Sequence, residues 1–224
     1  MDNISFIFPG QGSQKLGMLS DLAESFPVIR SAFQEASDVI GEDLWEVIQI
    51  DSKGILSKTE ITQPVLLTAS VAIWRAWTAL TEVKPDVLAG HSLGEYSALV
   101  CSDALSFEEA VSLVHFRGCA MQNAVPKGRG KMAAILGLSE VIVQELCDKA
   151  RKQSGLVAPA NINAENQIVI SGEVSAVELA IDFCKSAGAK RALPLEVSVP
   201  SHCELMRNAA RELEERLESI EFKN

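Results

Sequence analysis

A serine between two glycines is the strongest indication of chemistry in this sequence. The segment Gly90-His91-Ser92-Leu93-Gly94 has the pattern G-x-S-x-G, which holds a serine hydroxyl in a strained, exposed turn between a strand and a helix. Glycines are needed on both sides because a Cβ there would clash with neighbouring backbone. The Leu93 amide would face an oxyanion formed at Ser92. We predict that Ser92 is a nucleophile; a coincidental glycine-rich turn is the alternative.

A nucleophilic serine needs a general base, and the chain has three histidines. His91 is adjacent to Ser92, but on so tight a turn we expect the two side chains to diverge. His115 lies in an apolar stretch typical of a helical core. His202 stands in a loop before a helix, and loops on a rigid scaffold often carry catalytic side chains. We predict that His202 is the base; a capping or surface histidine is the alternative.

No acidic residue stands out as the third member of a catalytic triad. The segment between Ser92 and His202 contains Glu165, Glu173 and Glu178, which we expect to be solvated. Either a backbone carbonyl or a group outside this chain would orient His202, and the sequence leaves both possibilities open.

Arg117 is a charged residue in the largely apolar segment Val114-His115-Phe116-Arg117-Gly118. A guanidinium in apolar surroundings needs a partner, because burying it unpaired costs several kcal/mol. An internal ion pair or an extended side chain that reaches solvent would satisfy it. The functional interpretation is that the guanidinium binds a substrate carboxylate through two parallel hydrogen bonds. The residue types alone do not distinguish the structural interpretations of Arg117 from the functional one.

A second glycine-rich segment, Pro9-Gly10-Gln11-Gly12-Ser13-Gln14, follows the first predicted strand. It lacks the spacing of the dinucleotide-binding fingerprint and the lysine of a P-loop. Its glycines let backbone amides approach a ligand closely. We predict that the Gln11 amide is a second oxyanion donor, with a plain strand-to-helix turn as the alternative.

The elements that must position these residues follow from periodicity and turn signals. Short apolar runs predict strands over 4–8 and 86–89, one before each glycine-rich segment. Helices are predicted over 14–40 with a break at Pro27, over 64–80 with Pro64 in its first turn, over 95–100 and 107–124, and over about 203–217.

The pattern changes after residue 126. Strands are predicted over 132–136, 156–160, 167–171 and 191–195, with helices over 140–151 and 174–187. The order β-α-β-β-α-β is that of a ferredoxin-like unit. We therefore predict an α/β protein with a large domain, 1–126 and 197–224, and an inserted ferredoxin-like subdomain, 127–196.

Composition narrows the class of protein. The chain has 224 residues, 47% hydrophobic and 22% charged, with a net charge of −10, which disfavours nucleic acid or an anionic membrane as the main partner. Five cysteines without a CxxC pair are typical of reduced thiols. From the first residues we expect no leader peptide, and no apolar run reaches about 18 residues. We expect a cytoplasmic, monomeric enzyme without a metal site.

Several segments together resemble one family. FPGQGSQ, TQPVLLTASVA, AGHSLGEYSALV, FRGCAMQNAVP, NIN…QIVISG and GAKRALPLEVSVPSHC are similar to the malonyl-CoA:acyl carrier protein transacylases of bacterial type II fatty acid biosynthesis, the FabD family. The resemblance implies an α/β-hydrolase-like large domain with a ferredoxin-like insert. It implies that Ser92 is acylated, His202 is the base, the Gln11 and Leu93 amides form the oxyanion hole, and Arg117 binds the malonyl carboxylate. Met121, Asn163 and His91 are weaker candidates along the substrate path.

The resemblance also implies the reaction. Malonyl would pass from malonyl-CoA to Ser92, and then to the phosphopantetheine thiol of acyl carrier protein, with no metal or other cofactor. Acyl carrier protein is acidic, so we expect it to dock on basic residues; the candidates are Lys127, Arg129, Lys131, Lys190 and Arg191, and a solvated rim is the alternative.

Family members continue past this C-terminus, so the resemblance implies a C-terminally truncated chain whose activity is an open question. Two other functions remain open at this stage. One is a serine hydrolase, because G-x-S-x-G is shared with that class. The other is a fragment that only binds the carrier protein or CoA.

Overall fold

The structure, a computed structural model, describes residues 4–195, 197 and 199–223. Two predictions fall on residues outside this described part. One is the expectation that no leader peptide begins at Met1, and the other is the domain boundary after Glu196. The described residues form helices and strands together, so the predicted α/β class is confirmed. None of the helices in this described part is both long and apolar enough to cross a bilayer.

The elements occur in the following order. They are β1 (Ser5–Phe8), α1 (Ser20–Ser25), α2 (Pro27–Ile40), α3 (Leu44–Gln49), α4 (Thr59–Leu80), β2 (Val87–Gly90), α5 (Gly94–Cys101), α6 (Phe107–Ala124), β3 (Gly130–Leu136), α7 (Glu140–Ser154), β4 (Val157–Ala164), β5 (Gln167–Glu173), α8 (Val174–Ser186), β6 (Arg191–Pro194), a short 3-10 helix (Glu204–Met206) and α9 (Arg207–Leu217).

The chain divides into two compact units. The first unit is Met1–Cys119 with Arg216–Asn224, and the second unit is Ala120–Glu215. The second unit contains the whole segment 127–196 that the sequence analysis assigns to the insert, together with helical residues on either side. The predicted domain boundaries stay a prediction.

In the first unit, β1 and β2 pair in parallel, with Ser5 opposite Val87 and Phe8 opposite Gly90. The Phe6 ring packs edge-on against two rings of α4, those of Trp74 and Trp77, with centroids 5.3 Å away in each case. Because the strands are parallel, their carboxyl ends lie at the same edge. In open α/β sheets this edge is where ligands bind.

Helix α4 differs from its prediction in where it begins. It starts at Thr59, so Pro64 lies inside the helix and not in its first turn. The residues ahead of Pro64 look polar in sequence, yet Thr59, Thr62 and Gln63 are fully buried. Their side chains are accommodated by hydrogen bonds; Thr62 Oγ1, for example, donates to the Leu56 carbonyl. Because residues 59–63 are mostly polar, the sequence pattern did not predict that these five residues are helical.

The N-terminal helical region also differs from its prediction. Residues 14 and 15 belong to no regular element, residues 16–19 form turns, and the first helix begins at Ser20. Gly17 and Leu19 have positive φ angles of 76° and 64°, which interrupts a right-handed helix. Helix α3 was not predicted; Asp43 caps it by accepting a hydrogen bond from the Glu46 amide at 2.9 Å.

The second unit contains a four-stranded sheet in the order β4-β5-β3-β6. All three pairs of neighbouring strands are antiparallel. The predicted order β-α-β-β-α-β is confirmed. The buried core lies between this sheet and helices α7 and α8, and it includes Ile135, Val143, Ile168 and Val177. The last predicted helix, 203–217, is instead the short 3-10 helix followed by α9.

Candidate active site

The turn that carries Ser92 has the geometry that its sequence predicts. Ser92 adopts a φ of +52°, a conformation that costs a non-glycine residue free energy. A Cβ on Gly90 would overlap the backbone of Gly94, and a Cβ on Gly94 would overlap the carbonyl of Phe8. Both glycines are therefore required by backbone packing, and together they fix Ser92 between β2 and α5.

Leu93 and Gln11 lie in the two loops that begin where the parallel strands end. Leu93 follows Ser92 directly at the start of α5 and is buried. The loop that carries Gln11 packs against the serine turn, because a Cβ on Gly10 would lie 2.7 Å from the His91 carbonyl oxygen. The side chain of Gln11 donates to Thr59 Oγ1 at 3.1 Å. The structure thus brings the two predicted oxyanion loops side by side.

His91 joins these two loops. Its amide donates to the Phe8 carbonyl at 3.0 Å. A Cβ on Gly10 would lie 2.9 Å from His91 Nδ1, so the imidazole lies against the loop of Gln11. This residue packs between the two strand ends, beside the proposed nucleophile.

Arg117, on α6, reaches Ser92 across 25 positions of sequence. Its Nη2 donates to Ser92 Oγ at 3.4 Å, and its Nη1 donates to Gln63 Oε1 at 2.6 Å. The guanidinium also lies 5.7 Å from the ring centroid of Tyr96. Burial lowers the pKa of Arg117, whereas nearby Tyr96 and Glu95 raise it.

The approach of Arg117 to Gln63 depends on the next residue, Gly118. A Cβ on Gly118 would lie 2.8 Å from the Thr59 carbonyl oxygen, so only glycine allows α6 to approach α4 this closely. Gln63 itself is fully buried in α4. The sequence Arg117-Gly118 therefore supplies both the cation and the close helix contact that the cation needs.

No carboxylate in the described part of the chain forms an ion pair with Arg117. The internal ion pair that the sequence left open is thus not observed there. The groups that the guanidinium contacts directly are an amide oxygen, a hydroxyl and an aromatic ring, while the carboxylate of Glu95 acts on it without forming an ion pair. The cation keeps its charge and can bind an anion next to Ser92.

Two of these neighbours were missed by sequence reasoning. Gln63 is a polar residue in the apolar segment TQPVLLTASVA, and Tyr96 is the single tyrosine of the chain. A buried glutamine in such a segment is a usable signal, because it requires a hydrogen-bond partner. The identity of that partner, 54 positions away, is not readable from the sequence.

His202 lies in the second unit, in the turn before the short 3-10 helix. It has a φ of +59°, which is uncommon for a side chain of this size and concentrates at functional positions. Pro200, two residues earlier, packs against Gly130, where a Cβ would overlap the proline ring. Cys203 Sγ donates to the Pro200 carbonyl at 3.1 Å. These contacts hold the turn that carries His202.

Met121 and Asn163 have different environments in the second unit. Met121 is buried in a small apolar cluster with Val125, Val199 and Met206. Asn163 is exposed on β4. Their predicted place on the substrate path stays a prediction.

The predicted docking residues also differ from one another. Arg129 forms an ion pair with Glu173 at 3.3 Å, and Lys131 forms one with Glu178 at 2.8 Å. Glu178 is exposed, as expected, whereas Glu173 is only partly exposed and also accepts a hydrogen bond from the Leu156 amide. The remaining candidates, Lys127, Lys190 and Arg191, are exposed.

A separate open groove of about 1080 Å³ follows β2 and α5 in the first unit. Trp74, Asp86 and Leu99 are among the residues that line it, and neither Ser92 nor Arg117 does. Its volume alone assigns it no chemistry.

Among the described residues, no group of three His, Cys, Asp or Glu side chains is arranged to hold a metal ion.

Comparison with known proteins identifies the family. Residues 5–224 match the acyl transferase domain family. The chain belongs to this family. It is 51% identical over 223 residues to the malonyl CoA-acyl carrier protein transacylase of Haemophilus influenzae. This match covers 99% of this chain and 71% of the relative. The corresponding protein of Bacillus subtilis is 46% identical, with 100% and 70% covered.

Solved structures agree with this assignment. The malonyl CoA-acyl carrier protein transacylase of Coxiella burnetii superposes with a TM-score of 0.96 at 50% identity, covering 99% of this chain and 70% of that one. A malonyl-transacylase in complex with a type II polyketide acyl-carrier protein gives 0.96 at 53% identity, covering 99% and 72%. The resemblance found in the sequence is confirmed, and the chain spans about 71% of the length of these relatives.

Proposed function

We propose that this acyl transferase moves a malonyl group from malonyl-CoA to the phosphopantetheine thiol of acyl carrier protein, through a malonyl ester on Ser92. The observation that carries the proposal is the contact between the Arg117 guanidinium and Ser92 Oγ at 3.4 Å. A buried cation that forms no ion pair within the described part of the chain, and that lies beside a nucleophile, suits an acyl group that ends in a carboxylate. The names of the relatives support the same reaction.

In the first half-reaction, His202 accepts the proton of Ser92 as the hydroxyl oxygen attacks the thioester carbonyl. The resulting oxyanion accepts hydrogen bonds from the Leu93 and Gln11 amides, and one such donor is worth about 3–4 kcal/mol. The carbon–sulfur bond then breaks, His202 returns the proton to the CoA sulfur, and the malonyl ester remains on Ser92.

In the second half-reaction the steps run in reverse order with a new thiol. His202 removes the proton of the phosphopantetheine thiol, and the sulfur attacks the ester carbonyl of malonyl-Ser92. Collapse of the oxyanion expels the serine oxygen, which recovers its proton from His202. This chemistry uses an imidazole and backbone amides, so the proposal includes no metal and no redox cofactor.

Arg117 selects the acyl group. Its guanidinium can bind the malonyl carboxylate with two parallel hydrogen bonds. An acetyl group offers no such acceptor and would leave the buried cation without an anion, which disfavours its transfer. Met121, Asn163 and His91 are proposed to line the substrate path.

For the fold, we propose an α/β-hydrolase-like large domain, 1–126 and 197–224, with a ferredoxin-like subdomain, 127–196. The strand order β4-β5-β3-β6 and the alternation of elements support the ferredoxin-like subdomain.

We also infer a cytoplasmic, monomeric protein whose carrier partner docks on basic residues of the second unit.

The substitution Arg117→Ala tests the proposed function. We expect kcat/KM for malonyl-CoA to fall at least about 30-fold, because one partner of a buried charged hydrogen bond is removed, whereas transfer of acetyl should not fall. Arg30→Ala is the control, since Arg30 is an exposed arginine that stacks on Trp45 at 4.7 Å. An unchanged preference for malonyl in Arg117→Ala would contradict the role of Arg117.

A further inference from the structure

The position of the Arg117 guanidinium has to be fixed if it is to discriminate between acyl groups. An arginine side chain loses up to about 2 kcal/mol of rotamer entropy when it is ordered, so contacts along the guanidinium must compensate. Gln63 holds one edge through the 2.6 Å hydrogen bond to Nη1. The ring of Tyr96 is a second neighbour, with its centroid 5.7 Å from the guanidinium carbon.

Tyr96 is carried by the same rigid element as the proposed nucleophile. It is the fourth residue after Ser92, and its amide donates to the Leu93 carbonyl at 3.1 Å in the first turn of α5. The conformation of this turn is determined by Gly90 and Gly94. The distance between the Tyr96 ring and the Ser92 hydroxyl is therefore set by local backbone geometry, and Arg117 contacts both.

The ring attracts the guanidinium without neutralising it. A cation within about 6 Å of an aromatic centroid is stabilised by the ring quadrupole, more strongly when both are desolvated. Burial raises the pKa of Tyr96, so the phenol stays uncharged near neutral pH. A carboxylate at the same place would hold the arginine equally well but would compete with an anionic substrate.

We propose that Tyr96 is a positioning residue, whose ring holds the Arg117 guanidinium beside Ser92 and so sets the preference for acyl groups that carry a carboxylate. This inference rests on the proposed function. It assigns to Tyr96 no contact with the reacting atoms; its effect on the reaction passes through Arg117.

The first experiment compares two substitutions. In Tyr96→Phe the ring remains, and we expect the ratio of malonyl to acetyl kcat/KM to stay within about twofold of wild type. In Tyr96→Leu the ring is lost, and malonyl kcat/KM should fall roughly 5- to 30-fold, the range expected for a cation–π contact, mainly through KM. The acetyl value should stay constant.

Leu99→Ala is the matched control on the same helix. Leu99 is partly buried on α5 and lines the open groove of about 1080 Å³, which Arg117 does not line. A residue that only supports the fold would lower malonyl and acetyl transfer together, as we expect for Leu99→Ala. An equal loss for both acyl groups in Tyr96→Leu would therefore overturn the positioning role.

A second experiment probes the ring without substituting Tyr96 by another residue. Because Tyr96 is the single tyrosine of the chain, growth on 3-fluorotyrosine labels this ring alone. Fluorine weakens the ring quadrupole while it keeps the shape, so malonyl KM should rise and acetyl KM should not. The single ¹⁹F resonance should shift when Ser92 is loaded with malonyl, and the shift should be absent in Arg117→Ala.

The outcomes separate this inference from the proposed function. If the wild-type chain forms no malonyl ester, both fail. If the ester forms while neither the acyl ratio of Tyr96→Leu nor the ¹⁹F resonance changes, only the role of Tyr96 is overturned.

Discussion

Arg117 donates a hydrogen bond to Ser92 Oγ at 3.4 Å, and no carboxylate in the described part of the chain forms an ion pair with that guanidinium. The cation is held by Gln63 and Tyr96, which are both uncharged. A desolvated charge with only dipolar partners binds an anion more strongly than an arginine that is already paired. We propose that the acyl specificity of the protein follows from this arrangement.

Gln63→Glu should convert the dipolar partner of Arg117 into a charged one of the same size. The new carboxylate would form an internal ion pair, so malonyl kcat/KM should fall about 10- to 100-fold, while acetyl transfer is retained and the fold is not weakened. Steady-state kinetics with both acyl-CoA substrates measures this change. Gln34→Glu on α2 adds the same charge at an exposed position and should have no such effect. Equal malonyl kinetics in the two variants would contradict the argument.

Gly90→Ala or Gly94→Ala should abolish acylation of Ser92. The added methyl group would overlap backbone atoms of Gly94 or Phe8, and overpacking of this kind costs about 1–3 kcal/mol or more. Gly54→Ala is the control, because its surroundings are open although its φ is +63°. Thermal denaturation and acylation with malonyl-CoA are measured together. Full acylation of either Gly90→Ala or Gly94→Ala would mean that the turn is not fixed as described.

Two buried thiols should make the protein less stable at alkaline pH. Burial raises the pKa of Cys147 to about 12 and that of Cys184 to about 11, from an ordinary value of 9.0. The unfolded thiols ionise first, so their contribution to stability is complete below pH 9 and is lost as pH rises towards 11–12. At pH 10 the loss is about 1 kcal/mol per thiol.

Urea denaturation at pH 8 and pH 10 measures this dependence. The double variant Cys147→Ala/Cys184→Ala should be less stable at both pH values, because it loses core contacts, but its stability should change less between them. An identical pH dependence in wild type and double variant would rule out these thiols as its cause.

Charge reversal at Lys190 and Arg191 should slow only the second half-reaction. Both side chains are exposed, and an acidic carrier protein would lose favourable long-range attraction, which acts mainly on the rate of association. We expect about tenfold slower transfer to the carrier protein and a weaker dependence on salt. Formation of malonyl-Ser92 from malonyl-CoA should stay within about twofold. Lys152→Glu, an exposed residue near the end of α7, is the control; equal effects at the two places would assign the slowing to net charge alone.

The parts of the site that the sequence predicted are those determined by local sterics. The glycines around Ser92, the strand before them and the helix after them lie within fifteen residues, and the positive φ of Ser92 follows from that pattern. The βαββαβ order was readable for a similar reason, because each of its elements has a clear period and a turn residue at its end.

The parts that the sequence did not predict depend on distant partners. The partner of Arg117 lies in a helix whose polar first turns looked like loop, since the burial of Thr59 and Gln63 appears only when α4 packs against α6. Leu19 adopts a left-handed conformation that its residue type does not indicate, so the start of α1 was misplaced. The contact between Tyr96 and Arg117 joins two helices whose relative position no local pattern contains.

The most direct test of the central claim is the mass of the protein after mixing with malonyl-CoA. We predict an adduct of malonyl mass that maps to the peptide containing Ser92, persists in water, is discharged by phosphopantetheinylated carrier protein, and is absent in Ser92→Ala. A wild-type chain that stays unmodified, or that releases malonate to water as fast as it is loaded, would contradict the proposed transfer.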